Sequence, residues 1–408
     1  MRKNRLQNHV AGSVFTLPVC AVIAVLVWWM PLGQYHINYA IGLGLATLIA
    51  YVLLETNNRF QLIRVRSRMV ASAWILCAAC IASLHEWHHG TIVALCLAIA
   101  HFFLFSTYEK RQPVHASFHA GLFLGIGTLF VPWMVVFVPL FQLHQAVYLR
   151  SQTLRCFFAT FVGLLFPALV VSVPMVLMQD YSRMVQWYDM LLDVTYIAPE
   201  NYLALTLQQV LSWTFPCLLI WLGGIHYLCT SYNDRISVRM MLYILFTDAL
   251  VIQVFGALQP QYAELLLPTM LVCGCVFMGH FFALTHGWFT NFLFLLSLMC
   301  LAGIGYLTLW HKDIPMKEVA KWLAIETQKK PAPRQVKPKK PQKQKTVEVR
   351  QDSDTLVLPL QDIPERRPND SILLHDNDSA MLVDQETLGQ QVQPSHHDTL
   401  TTDTLPQY

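Results

Sequence analysis

Long apolar runs alternate with short polar stretches from residue 12 to residue 310, and there the alternation stops. The runs fall at about 12–30, 37–54, 69–84, 91–107, 116–131, 133–148, 156–177, 205–230, 240–257, 263–284 and 290–310. A helix needs about 20 residues, with a range of roughly 17–25, to cross a hydrocarbon layer. Within that layer the backbone has no water to bond, so each run must be helical. The pattern therefore predicts an all-α class: a polytopic transmembrane bundle of about ten or eleven spans over residues 1–310, followed by a polar tail.

The stretch 116–148 is where the pattern fits least well. Its two runs are near the lower length limit, Pro132 stands between them and Pro139 interrupts the second. Two short spans with a sharp turn at Val131–Trp133, or a re-entrant pair, satisfy it equally. Gly121, Gly125 and Gly127 offer the small-residue spacing that lets helices approach closely. Pro167, Pro174, Pro216 and Pro268 lie inside other runs, where each removes an intrahelical hydrogen bond.

Charge gives the layout a direction. Residues 1–310 contain 14 Lys and Arg, and all but Arg183 fall in alternate connections: Arg2, Lys3, Arg5; Arg59, Arg64, Arg66, Arg68; Lys110, Arg111; Arg150, Arg155; Arg235, Arg239. Basic loops stay cytoplasmic. The N-terminus is therefore expected inside, and the connections near 31–36, 85–90, 178–204 and 258–262 outside. The basic start followed by an apolar run has the charge pattern of a signal peptide but no small-residue cleavage site, so it reads as an uncleaved first span.

The tail divides into three. Residues 311–328 contain a juxtamembrane amphipathic helix with Met316, Val319, Trp322 and Leu323 on one face. Residues 329–345 are a Lys/Pro-rich linker, and 346–408 are acidic, polar and expected to be disordered. Eleven spans from an inside N-terminus carry the tail to the periplasm. The basic linker argues the other way, and the odd span count is given the greater weight.

Composition excludes more than it assigns. The chain is 55% hydrophobic and 13% charged, against about 25% charge in soluble domains. All ten cysteines lie in apolar runs, which rules out a loop-stapling disulfide framework; Cys77-x-x-Cys80 falls within a predicted span. No phosphate-cradling glycine loop or nucleophile elbow is present, and Asp376-Asn377-Asp378 lacks the glycine and closing glutamate of a calcium loop. No cofactor and no nucleic-acid partner is expected.

Three groups of residues are candidates for chemistry. His85, His88 and His89, with Glu86 between them, are metal-ligating types in one predicted outer loop, although a tight loop spreads such side chains apart. Tyr35-His36 is a neighbouring outer segment. Asp248 falls in mid-span, where a carboxylate is costly and faces the bundle interior or water. It is a candidate proton or cation site, or a tie between helices, with His101, His119, His144, His226 and His280 as candidate partners. Asp180, Asp189 and Asp193 lie in the long outer segment, which reads as a surface helix with Met184, Trp187, Tyr188 and Leu191 on its apolar face. Such acids could serve a transferase as base or metal ligand, but no acid follows the first span at Pro31–Tyr35. Glu264, at the outer end of its run, stays solvated.

The segment Ser117-Phe118-His119-Ala120-Gly121, then Gly125, Leu129-Phe130-Val131-Pro132, Pro139, Arg150, Arg155, Gly163 and Pro167, resembles a pattern in uncharacterised multi-pass inner-membrane proteins of the Bacteroidota. It covers about 116–170 and implies a bacterial inner-membrane location. It carries no activity. The expected function is a non-enzymatic envelope scaffold whose tail meets a protein partner. The alternatives are a transferase acting on a lipid-linked substrate at the outer face, and a proton- or cation-coupled transporter using Asp248.

Overall fold

A computed structural model describes residues 6–30, 37–193, 199–310 and 313–322. Among them there is no strand beyond one isolated bridge, Thr206 to Pro315. The helices are α1 (Leu6–Gly12), α2 (Thr16–Trp29), α3 (Ile37–Phe60), α4 (Met69–Cys80), α5 (His89–Phe105), α6 (Val114–Phe130), α7 (Phe137–Val147) and α8 (Leu154–Met178), then α9 (Ser182–Leu192), α10 (Pro199–Leu203), α11 (Leu207–Thr230), α12 (Ile236–Leu258), α13 (Ala263–Leu284), α14 (Trp288–Trp310) and α15 (Met316–Trp322). All eleven predicted runs are helical. Six helices are long and apolar enough to cross a membrane, and α1 with α2 makes a seventh if the bent pair counts as one. The protein is a multi-pass membrane helical bundle.

Several boundaries differ from the sequence reading. The first run forms a helix from Thr16, and a further helix, α1, precedes it and meets α2 at 97°. Gln7, buried in α1, donates its amide to the carbonyls of Phe282 and Thr285, and Asn291 accepts from its backbone N–H. These bonds anchor α1 to the end of α13 and the start of α14. The run at 69–84 ends as a helix at Cys80, followed by a single 3-10 turn over Ala82–Leu84. Pro132 starts a 3-10 turn, Pro132–Val136, which leads into α7; the backbone is extended at Val131. Residues 329–345 and 346–408, Tyr35-His36 and Leu323 lie outside the described residues.

The core is built around α13, which packs on α4, α5, α11 and α12. Its small residues explain how. A Cβ on Gly223 of α11 would sit 2.4 Å from the Phe277 carbonyl, and one on Gly274 would sit 2.1 Å from Ile220. By contrast α8 is peripheral, and its packing surface is α6. The small-residue stripe expected at Gly121 and Gly125 forms this contact: a Cβ at either would lie 2.1 Å or 2.4 Å from the carbonyl of Thr160 or Leu164. Beyond that seam α8 exposes Phe158, Val162, Leu165, Leu169 and Val173, all more than half exposed. A helix so apolar on its free face belongs in lipid.

The two ends of the bundle are chemically distinct. At one end the basic connections are tied together: Arg68 donates to the Val14 carbonyl, Arg235 to Gln61, Arg155 to Gln112, and Arg64 pairs with Asp234. At the other, Tyr262 donates to Asp193, Gln209 to Glu264, and Trp187 to the Thr128 carbonyl. The segment after α14 joins this second end, since Leu207 N donates to Ile314 O at 2.8 Å and Met316 N to Leu205 O at 3.0 Å.

Candidate functional site

Asp248 sits in the middle of α12 with no exposed surface. Its Oδ2 lies 2.6 Å from Nε2 of His101 on α5, and its Oδ1 lies 2.8 Å from Nε2 of His144 on α7. Two of the five candidate histidines therefore reach it. His119 faces the His115 carbonyl, and His226 and His280 lie near each other, their rings tilted and 6.1 Å apart, toward the basic end. Phe141 closes over the pair, in edge contact with His101.

The proton inventory follows from the acceptors. Nδ1 of His101 lies 2.9 Å from the Leu97 carbonyl, which can only accept. That nitrogen therefore carries a proton. One further proton lies between His101 Nε2 and Asp248 Oδ2, whichever atom holds it. His144 faces the other carboxylate oxygen with Nε2, and no partner among the described residues reaches its Nδ1. An imidazole nitrogen therefore meets each oxygen of the carboxylate. That is how an aspartate is accommodated at this depth.

A second buried carboxylate was not singled out from sequence. Asp234, fully buried as a side chain, pairs with Arg64 Nε at 2.9 Å and lies 3.5 Å from His280 Nε2. In the sequence it stands in Ser231-Tyr232-Asn233-Asp234-Arg235, which reads as an ordinary polar connection. Nothing local marks it as buried.

The histidine loop is dispersed. His85 is buried, stacks on Trp28 at 4.1 Å between ring centroids, and faces the Ala79 carbonyl. Burial pulls its imidazole down to about 4, only partly offset by that carbonyl. His88 accepts from Gly90 N and caps α5. His89 lies against Phe130. The three point to three different partners, and no group of three His, Cys, Asp or Glu among the described residues is placed to hold a metal.

The acids of the outer segment are likewise apart in role. Asp180 is held below the usual carboxylate range by the Ser182 hydroxyl and, second, by Ser182 N, which donates to its Oδ1. Asp193 accepts from Tyr262 Oη at 2.7 Å. The Asp189 carbonyl accepts the Asp193 N–H in the helix turn. On α9 the face turned to the bundle is Trp187, Met190 and Leu191; the expected Met184 and Tyr188 are more than half exposed.

Two adjoining cavities open at the acidic end. One, of about 370 Å³, lies between the starts of α11 and α13 and the end of α12. The other, of about 430 Å³, lies over the 82–88 loop. Ala82, Ser83, Gln261 and Glu264 border both. No known protein family, curated protein or solved structure matches this chain.

Proposed function

We propose that the chain is a multi-pass component of a bacterial inner membrane that acts as a non-enzymatic scaffold, with its C-terminal tail offered to an envelope protein partner. The observation that carries the reading is the filling of Asp248. Both carboxylate oxygens already have imidazole partners, and all three residues are buried. A cation would have to compete with those two histidines for the carboxylate. The residue serves instead to tie α5, α7 and α12 together. Asp193 and His88 are also engaged in holding loops.

The orientation that fits this role has the N-terminus in the cytoplasm and the tail in the periplasm. Basic residues gathered at one end support it, and the Ile314–Met316 segment bonded to the opposite end supports an odd number of crossings. The lipid bilayer is the first partner. The direct test is deletion of residues 329–408. A scaffold loses its cellular role while membrane levels stay normal. Retention of that role sinks the reading, and so does cation-dependent transport that Asp248→Asn abolishes. A transferase acting on a lipid-linked substrate is the second reading. The cavity at the acidic end favours it, although its acids are Glu264 and Asp313 and none of Asp180, Asp189 and Asp193 lines it; loss of activity on changing any of those three at normal expression would establish it.

A further inference from the structure

The cavity at the acidic end has a lining that selects for one ligand chemistry. Its mouth is bordered by Gln209, Gln261 and Glu264, all exposed, and its floor by Gln208 and Ser212, both buried. Side-chain amides both donate and accept, and a carboxylate accepts. Such a lining matches hydroxyl groups, which also do both. One wall is Trp213, whose ring lies so close to the α12 backbone that a Cβ on Gly256 would stand 2.3 Å from it. The missing side chain at Gly256 seats the indole against α12, and Trp213 adds an aromatic wall to a lining that also includes Leu205, Val210 and Leu267. A few convergent polar groups beside an aromatic wall, in about 370 Å³, is the usual make-up of a small-molecule pocket.

Charge narrows the class. Glu264 and Asp313 line this cavity, Glu86 lines its neighbour, and among the described residues neither is lined by a Lys or Arg. A phosphate, sulfate or carboxylate ligand would meet like charge from these acids. Glu264 is itself positioned: Gln209 Nε2 donates to its Oε2 at 3.1 Å, while Gln209 Oε1 accepts from Thr206 N. This linkage connects the mouth of the cavity to the capping box that starts α11.

We propose that this cavity binds a neutral carbohydrate, with its hydroxyls on Gln209, Gln261 and Glu264 and its ring face on Trp213. The site is independent of the scaffold reading, because it uses neither Asp248 nor residues 329–408. Its place beside the ends of three crossing helices suits either a free sugar or the headgroup of a glycolipid.

The test uses the full-length chain in lipid nanodiscs, free of sugar-based detergent. Methyl and octyl glucoside, galactoside and mannoside are titrated by saturation-transfer NMR. At least one is expected to bind saturably, with Gln209→Ala and Trp213→Leu each weakening it by about tenfold or more and Arg235→Gln, at the basic end, leaving it unchanged. Preference for the octyl over the methyl form assigns a glycolipid headgroup; equal binding assigns a free sugar. Gln209 is exposed, so its variant carries the test if the Trp213 variant does not fold. The proposal is overturned if no glycoside saturates, if binding ignores Gln209, or if spermidine binds in a Glu264-dependent manner while the glycosides do not.

Discussion

Asp248 and His101 are 147 positions apart in the chain and 2.6 Å apart in the fold. The contact spans two helices, α5 and α12, and shares a single proton. Its loss should therefore be asymmetric. Asp248→Ala strands two imidazoles in the dry interior and should cost about 3–5 kcal/mol, the range for breaking a buried pair. Asp248→Asn keeps hydrogen-bonding atoms at both positions and should cost less. Replacing all three members with apolar side chains should recover much of the loss. Unfolding of each variant in detergent or nanodiscs checks the order.

The seam between α6 and α8 rests on absent side chains. Gly121→Val places a Cβ 2.1 Å from the Thr160 carbonyl, a backbone atom that cannot step aside. Overpacking of this kind costs about 1–3 kcal/mol, and α8 has no comparable second seam. The variant should release α8 before the rest of the bundle. Disulfide trapping between cysteines placed on α6 and α8 should fall while the melting of the remainder shifts little.

Asp234 depends on Arg64, whose side chain is 39% exposed. Arg64→Ala leaves a buried carboxylate uncompensated except by His280. The exposure of the arginine tempers the penalty, which should be about 1–3 kcal/mol. Arg64→Lys should restore only part of it, because the ammonium cannot reproduce the guanidinium geometry. Thermal unfolding of the pair of variants tests both statements.

His85 gives the protein an acid-sensitive loop. Its folded-state imidazole is held down to about 4 by burial, so folding favours the neutral ring. The stability this provides is complete above the ordinary value of about 6.5 and is lost as pH falls through about 4. Because the ring stacks on Trp28, the fluorescence difference between the wild type and Trp28→Phe should change across that window. His85→Gln should remove the change.

Side-specific labelling tests the threading. Single cysteines at Gln61 and Asn233 should react from the cytoplasm, and ones at Gln261 and Asp313 from the periplasm. Labelling of all four from one side would contradict the odd crossing count.

Much of this arrangement was legible in the chain. The eleven apolar runs appear as helices because hydropathy reports the solvent, and in lipid only a helix satisfies the backbone. Gly121 and Gly125 were readable as a packing stripe because their spacing is local. The bend between α1 and α2 was not, since Gln7 finds its acceptors at Phe282 and Thr285. The choice of His101 and His144 among five histidines depends on which helices neighbour α12, and no periodicity within one helix reveals that. Asp234 was missed for the same reason. Its burial is imposed by Arg64 and His280, both far away in sequence. The histidine loop shows the reverse failure: three ligand-type residues stand close in sequence, and the turn sends them to Trp28, Gly90 and Phe130.

The most direct test of the account is a double-mutant cycle between Asp248 and His101, read as unfolding free energy in nanodiscs. A shared-proton tie sealed inside the bundle predicts a coupling of about 1.5–3 kcal/mol, as for charged hydrogen bonds, well above the roughly 0.6 kcal/mol of an average interhelical hydrogen bond in a membrane. Additivity within about 0.5 kcal/mol would show that the two side chains do not hold the helices together, and the structural role assigned to Asp248 would fall.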